Sequence, residues 1–169
     1  HQTVEFQYVY CGMSVMRNGY KTILTDQDIK DKLHENLIEI KSCDRLGHLQ
    51  NILSPMFSEE ELDDIINCEQ FEKEKDWLTA IDAKYEIFSS GQNTFLYLFS
   101  SVVANIRYDS LLLFDEPETH LHPNAITLLM TAINRLLERY QSYGIIVTHS
   151  PLVIKELFSR NVYVMKRMN

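Results

Sequence analysis

Two short apolar runs constrain this chain more than anything else in it. Leu111-Leu112-Leu113-Phe114 ends in Asp115-Glu116, and Ile145-Ile146-Val147 ends in Thr148-His149. Between them, Asn124 to Tyr140 places Ile126, Leu129, Ile133, Leu136 and Leu137 at helical spacing, with Pro123 set for the first turn and Gly144 as the stop. Fully apolar runs of this length suit strands buried in a parallel sheet. Pro151 then opens a short helix, and Asn161 to Met165 reads as a third strand. Strand, helix, strand, helix, strand is the rhythm of a parallel α/β sheet. Such sheets present functional groups at the carboxyl ends of their strands, where both polar pairs fall.

The preceding residues are of a different kind. Val4 to Tyr10 alternates with period two and predicts a strand, and Asn18-Gly19 between Met13–Met16 and Tyr20–Leu24 predicts a β-hairpin. Thr25 with Asp28 resembles a capping box ahead of Ile29, Leu33, Leu37 and Ile40. Ser58-Glu59-Glu60-Glu61 is a second helix start, and the acidic helical stretch after it has Trp77 and Leu78 as its best anchors. No chemistry shows in residues 25–85, which read as a helical packing or coupling element with a solvated charged face. Gln92 to Tyr108 is a broadly apolar helix. The expected organisation is a strand and hairpin over 1–24, a helical subdomain over 25–86 and a parallel-sheet lobe over 87–169.

The 169 residues fit one compact domain, and 45% hydrophobic against 24% charged residues gives enough apolar material for a core. The net charge of −8 argues against a basic nucleic-acid module, so any DNA contact is expected on local patches, such as Lys155, Arg160, Lys166 and Arg167, or outside these residues. Cys11, Cys43 and Cys68 are odd in number and widely spaced, which suits reduced thiols of a cytoplasmic protein. No apolar run is long enough for a membrane helix, and no signal-peptide pattern opens the chain. The chain opens on His1, and it reads as a segment of something longer.

Three clusters carry candidate chemistry. Asp115 is suited to hold Mg²⁺ through its water shell, and the adjacent Glu116 to polarise a water for in-line attack on a phosphate. His149 as a neutral imidazole can donate to a γ-phosphate oxygen or help order the attacking water. Ser89-Ser90-Gly91-Gln92 before the apolar helix leaves backbone N–H groups at a positive helix end, fit either for phosphate or for an ordinary N-cap.

Together the runs Phe88-Ser89-Ser90-Gly91-Gln92, Leu111 to Glu118 and Ile146 to Pro151 resemble the ABC-type ATPase superfamily. In order they are similar to its signature loop, Walker B strand and switch histidine. Glu118-Thr119-His120-Leu121-His122-Pro123 looks closest to the non-transporter branch, with RecF/SMC-type heads and the anti-phage ATPases of the overcoming-lysogenization-defect, Septu and retron-linked kinds. The opening Tyr-Val-Tyr-Cys-Gly and the Asn-Gly hairpin resemble the Septu type. The resemblance implies ATP and Mg²⁺ as cofactors, Asp115 ordering the metal, Glu116 as catalytic base and His149 as γ-phosphate sensor. It implies that Ser89, Ser90, Gly91 and Gln92 reach the nucleotide of a facing second head, with Ser90 standing where the superfamily usually has glycine. It further implies an HNH-type nuclease partner, a reverse transcriptase with its RNA–DNA product, and a role in defence against phage. The glycines are Gly12, Gly19, Gly47, Gly91 and Gly144, and no Gly-x-x-x-x-Gly-Lys-Ser/Thr occurs among these residues. The chain therefore reads as the C-terminal half of a head, with the phosphate loop expected upstream.

Two other readings compete. Asp115, Glu116, Glu118, His120 and His122 are a dense set of potential hard-metal ligands, as a metal-dependent nuclease would have. Against that, alternating spacing turns neighbouring side chains to different sides, and the two histidines fit a loop packing at a head–head interface. A degenerate head that binds partners without turnover is the third, and within the same superfamily a DNA-repair ATPase of the RecF/SMC type is the alternative to a defence role.

Overall fold

The structure, a computed structural model, describes residues 14–17, 20–119 and 121–165. The chain divides into two compact units, His1–Arg107 and Tyr108–Asn169.

The first unit opens with an antiparallel pair, β1 (Ser14–Arg17) and β2 (Tyr20–Ile23), in the register Arg17↔Tyr20 to Ser14↔Ile23. That is the hairpin the Asn-Gly dipeptide predicts. The dipeptide itself and the predicted strand Val4–Tyr10 lie outside the described residues.

Helices follow: α1 (Asp26–Ser42), α2 (Leu46–Leu53), α3 (Glu59–Ile66), α4 (Glu74–Ile87) and α5 (Ser90–Asn105). The expected caps form: Thr25 accepts from the Asp28 N–H while the Asp28 carboxylate accepts from Thr25, and Ser58 and Glu61 do the same for α3. Each cap occupies backbone donors that a helix start leaves orphaned. The predicted stripe Ile29, Leu33, Leu37 and Ile40 is buried on α1, against α5. Trp77 is fully buried and its Nε1–H donates to the Ile65 carbonyl at 3.0 Å, joining α4 to the end of α3. Ile81 is the second buried anchor of α4, whereas Leu78 is half-buried. Phe57 and Phe88 meet edge to face with centroids 5.2 Å apart. The Arg45 guanidinium closes the far end of α5, donating to the carbonyls of Val103 and Ile106 at 3.1 and 3.0 Å. The sequence reading draws a boundary before residue 87, but the packing places α5 with α1 and α2 in the first unit.

The second unit is a strand–helix–strand: β3 (Leu111–Asp115), α6 (Pro123–Arg139) and β4 (Tyr143–Val147), then a short α7 (Pro151–Lys155). The strands pair in parallel, from Leu111↔Tyr143 to Asp115↔Val147. Helix α6 buries Ile126, Leu129, Met130, Ala132, Ile133 and Leu136. A Cβ on Gly144 would stand 3.0 Å from Cδ1 of Leu137, so the glycine lets α6 lie close on β4. Ser142 Oγ accepts from the Ser110 N–H at 3.0 Å and donates to the Tyr140 carbonyl at 2.9 Å, tying the start of β3 to the end of α6.

Two expectations change here. The apolar runs read as strands buried on both faces, yet only one face is covered: Phe114 is buried while Leu111, Leu113, Tyr143, Ile145 and Val147 are exposed. Burial on both faces needs layers on both sides, and among the described residues the sheet has two strands with α6 against one side. Asn161 to Met165 is not a third strand. Ser159–Asn161 forms a 3-10 turn, and the β-branched and aromatic run after it is extended at Val162 but pairs with no strand among the described residues. Its side chains Tyr163, Val164 and Met165 are exposed, so neither packing nor a ladder supports the local preference. No helix among the described residues is long and apolar enough to cross a membrane.

Candidate functional site

The parallel register sets the site. With Asp115 opposite Val147, the residues that follow both strands emerge at one end of the sheet. The Glu116 N–H donates to the Val147 carbonyl at 2.8 Å, which carries the ladder one step past β3. Glu116 then turns with φ 45°, in the left-handed region. Its carbonyl accepts from the Thr119 N–H at 3.0 Å, closing a turn around Pro117.

The outcome is contact between two predicted site residues. Glu116 Oε1 lies 2.8 Å from His149 Nδ1, with the imidazole 79% exposed and the carboxylate 45% exposed. The donor in this pair depends on the ring's tautomer: an ionised carboxylate only accepts, and with that partner the proton sits on Nδ1. A neutral ring in that tautomer presents Nε2 as an acceptor.

Asp115 is exposed beside this pair. Glu118 is buried, and its Oε1 accepts the hydroxyl proton of Thr148. Sequence reasoning placed Glu118 only among possible metal ligands and missed Thr148. The link joins the ends of two strands and has no signature along the chain. His122 caps α6, its Nδ1 facing the Asn124 N–H at 3.4 Å, and His120 lies outside the described residues. Among the described residues no group of three or more His, Cys, Asp or Glu side chains is arranged to hold a metal ion.

The loop over Ser89–Gln92 belongs to the first unit and is described there. Ser89 is the N-cap of α5: its N–H and its hydroxyl both reach Gln92 Oε1 at 3.1 Å, and the Gln92 N–H returns to Ser89 Oγ at 3.3 Å. Gln92 Nε2 donates to Glu61 Oε1 at 3.0 Å, so the capping boxes of α3 and α5 are joined through one side chain. The Ser58 backbone N–H, helped by Gln92, holds the Glu61 carboxyl below its ordinary range, against a smaller desolvation effect. Ser90 and Gly91 form the first turn of α5.

Comparison with known proteins agrees in part. Residues 73–155 match the family described as "AAA domain, putative AbiEii toxin, Type IV TA system". The match supports an ABC/AAA-type ATPase family, and it spans the signature-like loop, Asp115-Glu116 and His149. Protein ea59 of Escherichia phage lambda is 39% identical over 69 residues, which are 41% of this chain and 13% of that protein's length. The chain thus corresponds to a small part of that relative. No solved structure matches.

Proposed function

We propose that this chain carries the hydrolytic part of an ABC-type ATPase head, an ATP-driven switch in which two heads close on nucleotide and part on hydrolysis. The observation that carries the reading is the contact of Glu116 with His149 at the carboxyl ends of adjacent parallel strands, beside Asp115. The family match supports nucleotide hydrolysis in general terms.

The chemistry follows from the side chains. Glu116 accepts a proton from the attacking water, and its carboxylate holds the His149 ring through Nδ1. His149 Nε2–H then donates to a phosphate oxygen, so the histidine reports the presence of the third phosphate to the base beside it. Asp115 offers exposed hard oxygens of the kind Mg²⁺ prefers, and would hold that ion to offset phosphate charge. Ser89, Ser90, Gly91 and Gln92 serve the nucleotide of the facing head. To do so, Gln92 exchanges its bonds to Ser89 and Glu61 for the ligand. The phosphate-cradling Gly-x-x-x-x-Gly-Lys-Ser/Thr loop is supplied from outside these 169 residues.

The control of an HNH-type nuclease, with or without a reverse transcriptase and its RNA–DNA product, in cytoplasmic defence against phage is the finer part of the proposal. It rests on the resemblance of the opening residues and the three motifs to Septu-type ATPases. The deciding experiment uses Glu116→Gln in the complete protein. ATP binding persists, turnover falls by about 100-fold or more, and the closed dimer accumulates. Turnover at the normal rate in that variant removes Glu116 as the base.

A further inference from the structure

Glu118 is the buried carboxylate of the second unit, with 8% of its surface exposed. Its Oε1 takes the Thr148 hydroxyl proton, while its Oε2 meets no donor among the described residues. Thr148 Oγ1 in turn accepts the Ser150 N–H at 2.9 Å, and Ser150 Oγ accepts the Leu152 N–H at 3.3 Å as the cap of α7. On the other side, the Glu118 carbonyl accepts the Leu121 N–H at 2.9 Å just ahead of α6. One line of hydrogen bonds therefore runs from the loop after β3 to the loop after β4.

His149 sits between two residues on that line and is itself 79% exposed. A hydrogen bond between two solvated side chains is too weak to hold its own geometry. The orientation of the ring is therefore set by the backbone on either side, at Thr148 and Ser150. Packing alone does not account for Glu118, because burying a carboxylate with one oxygen unsatisfied is costly and an apolar side chain would fill the space.

We propose that Glu118 is a positioning residue that, through Thr148, holds the loop carrying His149 against the turn carrying Glu116. The pair is thereby assembled before nucleotide arrives. The proposal rests on the ATPase reading for its effect on rate, and on geometry alone for the clip itself.

The test compares Glu118→Ala, Glu118→Gln, Thr148→Val and the Glu118→Ala/Thr148→Val double variant in the complete protein. Two measurements are made: steady-state ATP turnover, and hydrogen exchange at the Ser150 amide. Loss of either partner lowers kcat about 10-fold with KM for ATP changed less than about twofold, and the double variant is no slower than the slower single one. Glu118→Gln restores turnover to within about twofold, since its amide oxygen still accepts from Thr148. Exchange at Ser150 rises about 10-fold in Glu118→Ala and returns with Glu118→Gln. Additive losses, a KM-only effect, a Gln variant as slow as Ala, or unchanged exchange at Ser150 each overturn the proposal. If the parent protein hydrolyses no ATP, the ATPase reading fails, and exchange at Ser150 still decides the clip. If the parent turns over and Glu118→Ala matches it, the positioning role fails alone.

Discussion

Glu116 and His149 stand 33 residues apart in sequence and 2.8 Å apart in space, joined through Oε1 and Nδ1. Two adjacent parallel strands of equal length bring this about, because in-register pairing delivers whatever follows each strand to the same edge. The hydrogen bond contributes little to stability. For side chains this exposed such a pair contributes about 0–1 kcal/mol. On the proposed function its value lies in chemistry, since it sets a carboxylate against an imidazole at the strand ends.

The contrast gives a first prediction. His149→Ala leaves stability nearly unchanged, a loss of about 0.5 kcal/mol or less, because almost nothing packs on the ring. It lowers ATP turnover about 10- to 100-fold. Thermal melting and steady-state kinetics on the same preparation check both halves. A large loss of stability would mean that the ring is structural.

Trp77 lies at the opposite extreme. Trp77→Phe removes the indole N–H from the Ile65 carbonyl and leaves a void in a fully buried place. The expected cost is about 2–3 kcal/mol, read as a lower urea midpoint at unchanged slope. A cost below about 1 kcal/mol would show that the carbonyl finds another donor.

Stability also has an acid-dependent component from Glu61. The group's ordinary value is 4.5, and the Ser58 N–H, with Gln92, holds it lower in the folded chain. A depressed carboxyl contributes stability that is complete above its unfolded value and is lost as pH falls through the folded one. The contribution is thus present above pH 4.5 and disappears below it. Glu61→Gln lacks this component, so its stability falls less steeply between neutral and acid pH. Urea titrations at several pH values compare the two slopes.

Gly144 tests the closeness of α6 to β4. Gly144→Ala brings a Cβ to 3.0 Å from the tip of Leu137, a flexible partner that can yield, and costs about 1 kcal/mol. Gly144→Val has no such escape and costs about 2 kcal/mol or more. Denaturant unfolding orders the three chains, and equal stability of Val and Gly at this position would rule out tight packing there.

What the sequence reveals here depends on how far apart the interacting residues are. The capping pair Thr25 with Asp28, the stripe Ile29 to Ile40 and the Asn-Gly hairpin are local, so propensity and spacing find them. The alignment of Asp115-Glu116 with Thr148-His149 was legible because parallel strands follow a strand–helix–strand order. The link of Glu118 to Thr148 and that of Gln92 to Glu61 were not, since each depends on how elements pack. Val162 to Met165 misled for the converse reason: its residues favour a strand, but a strand needs a neighbour to bond to.

At position 116, folding and chemistry ask for different residues. A backbone with φ 45° suits glycine, and any side chain there costs about 1 kcal/mol. The same left-handed turn aims the carboxylate at His149. Replacement by glycine would let the strand end relax and take away the only group at that position able to accept a proton. On the proposed function, the turn after β3 is thus a place where a more comfortable backbone and hydrolysis exclude each other, and stabilising changes sought in this protein should leave it alone.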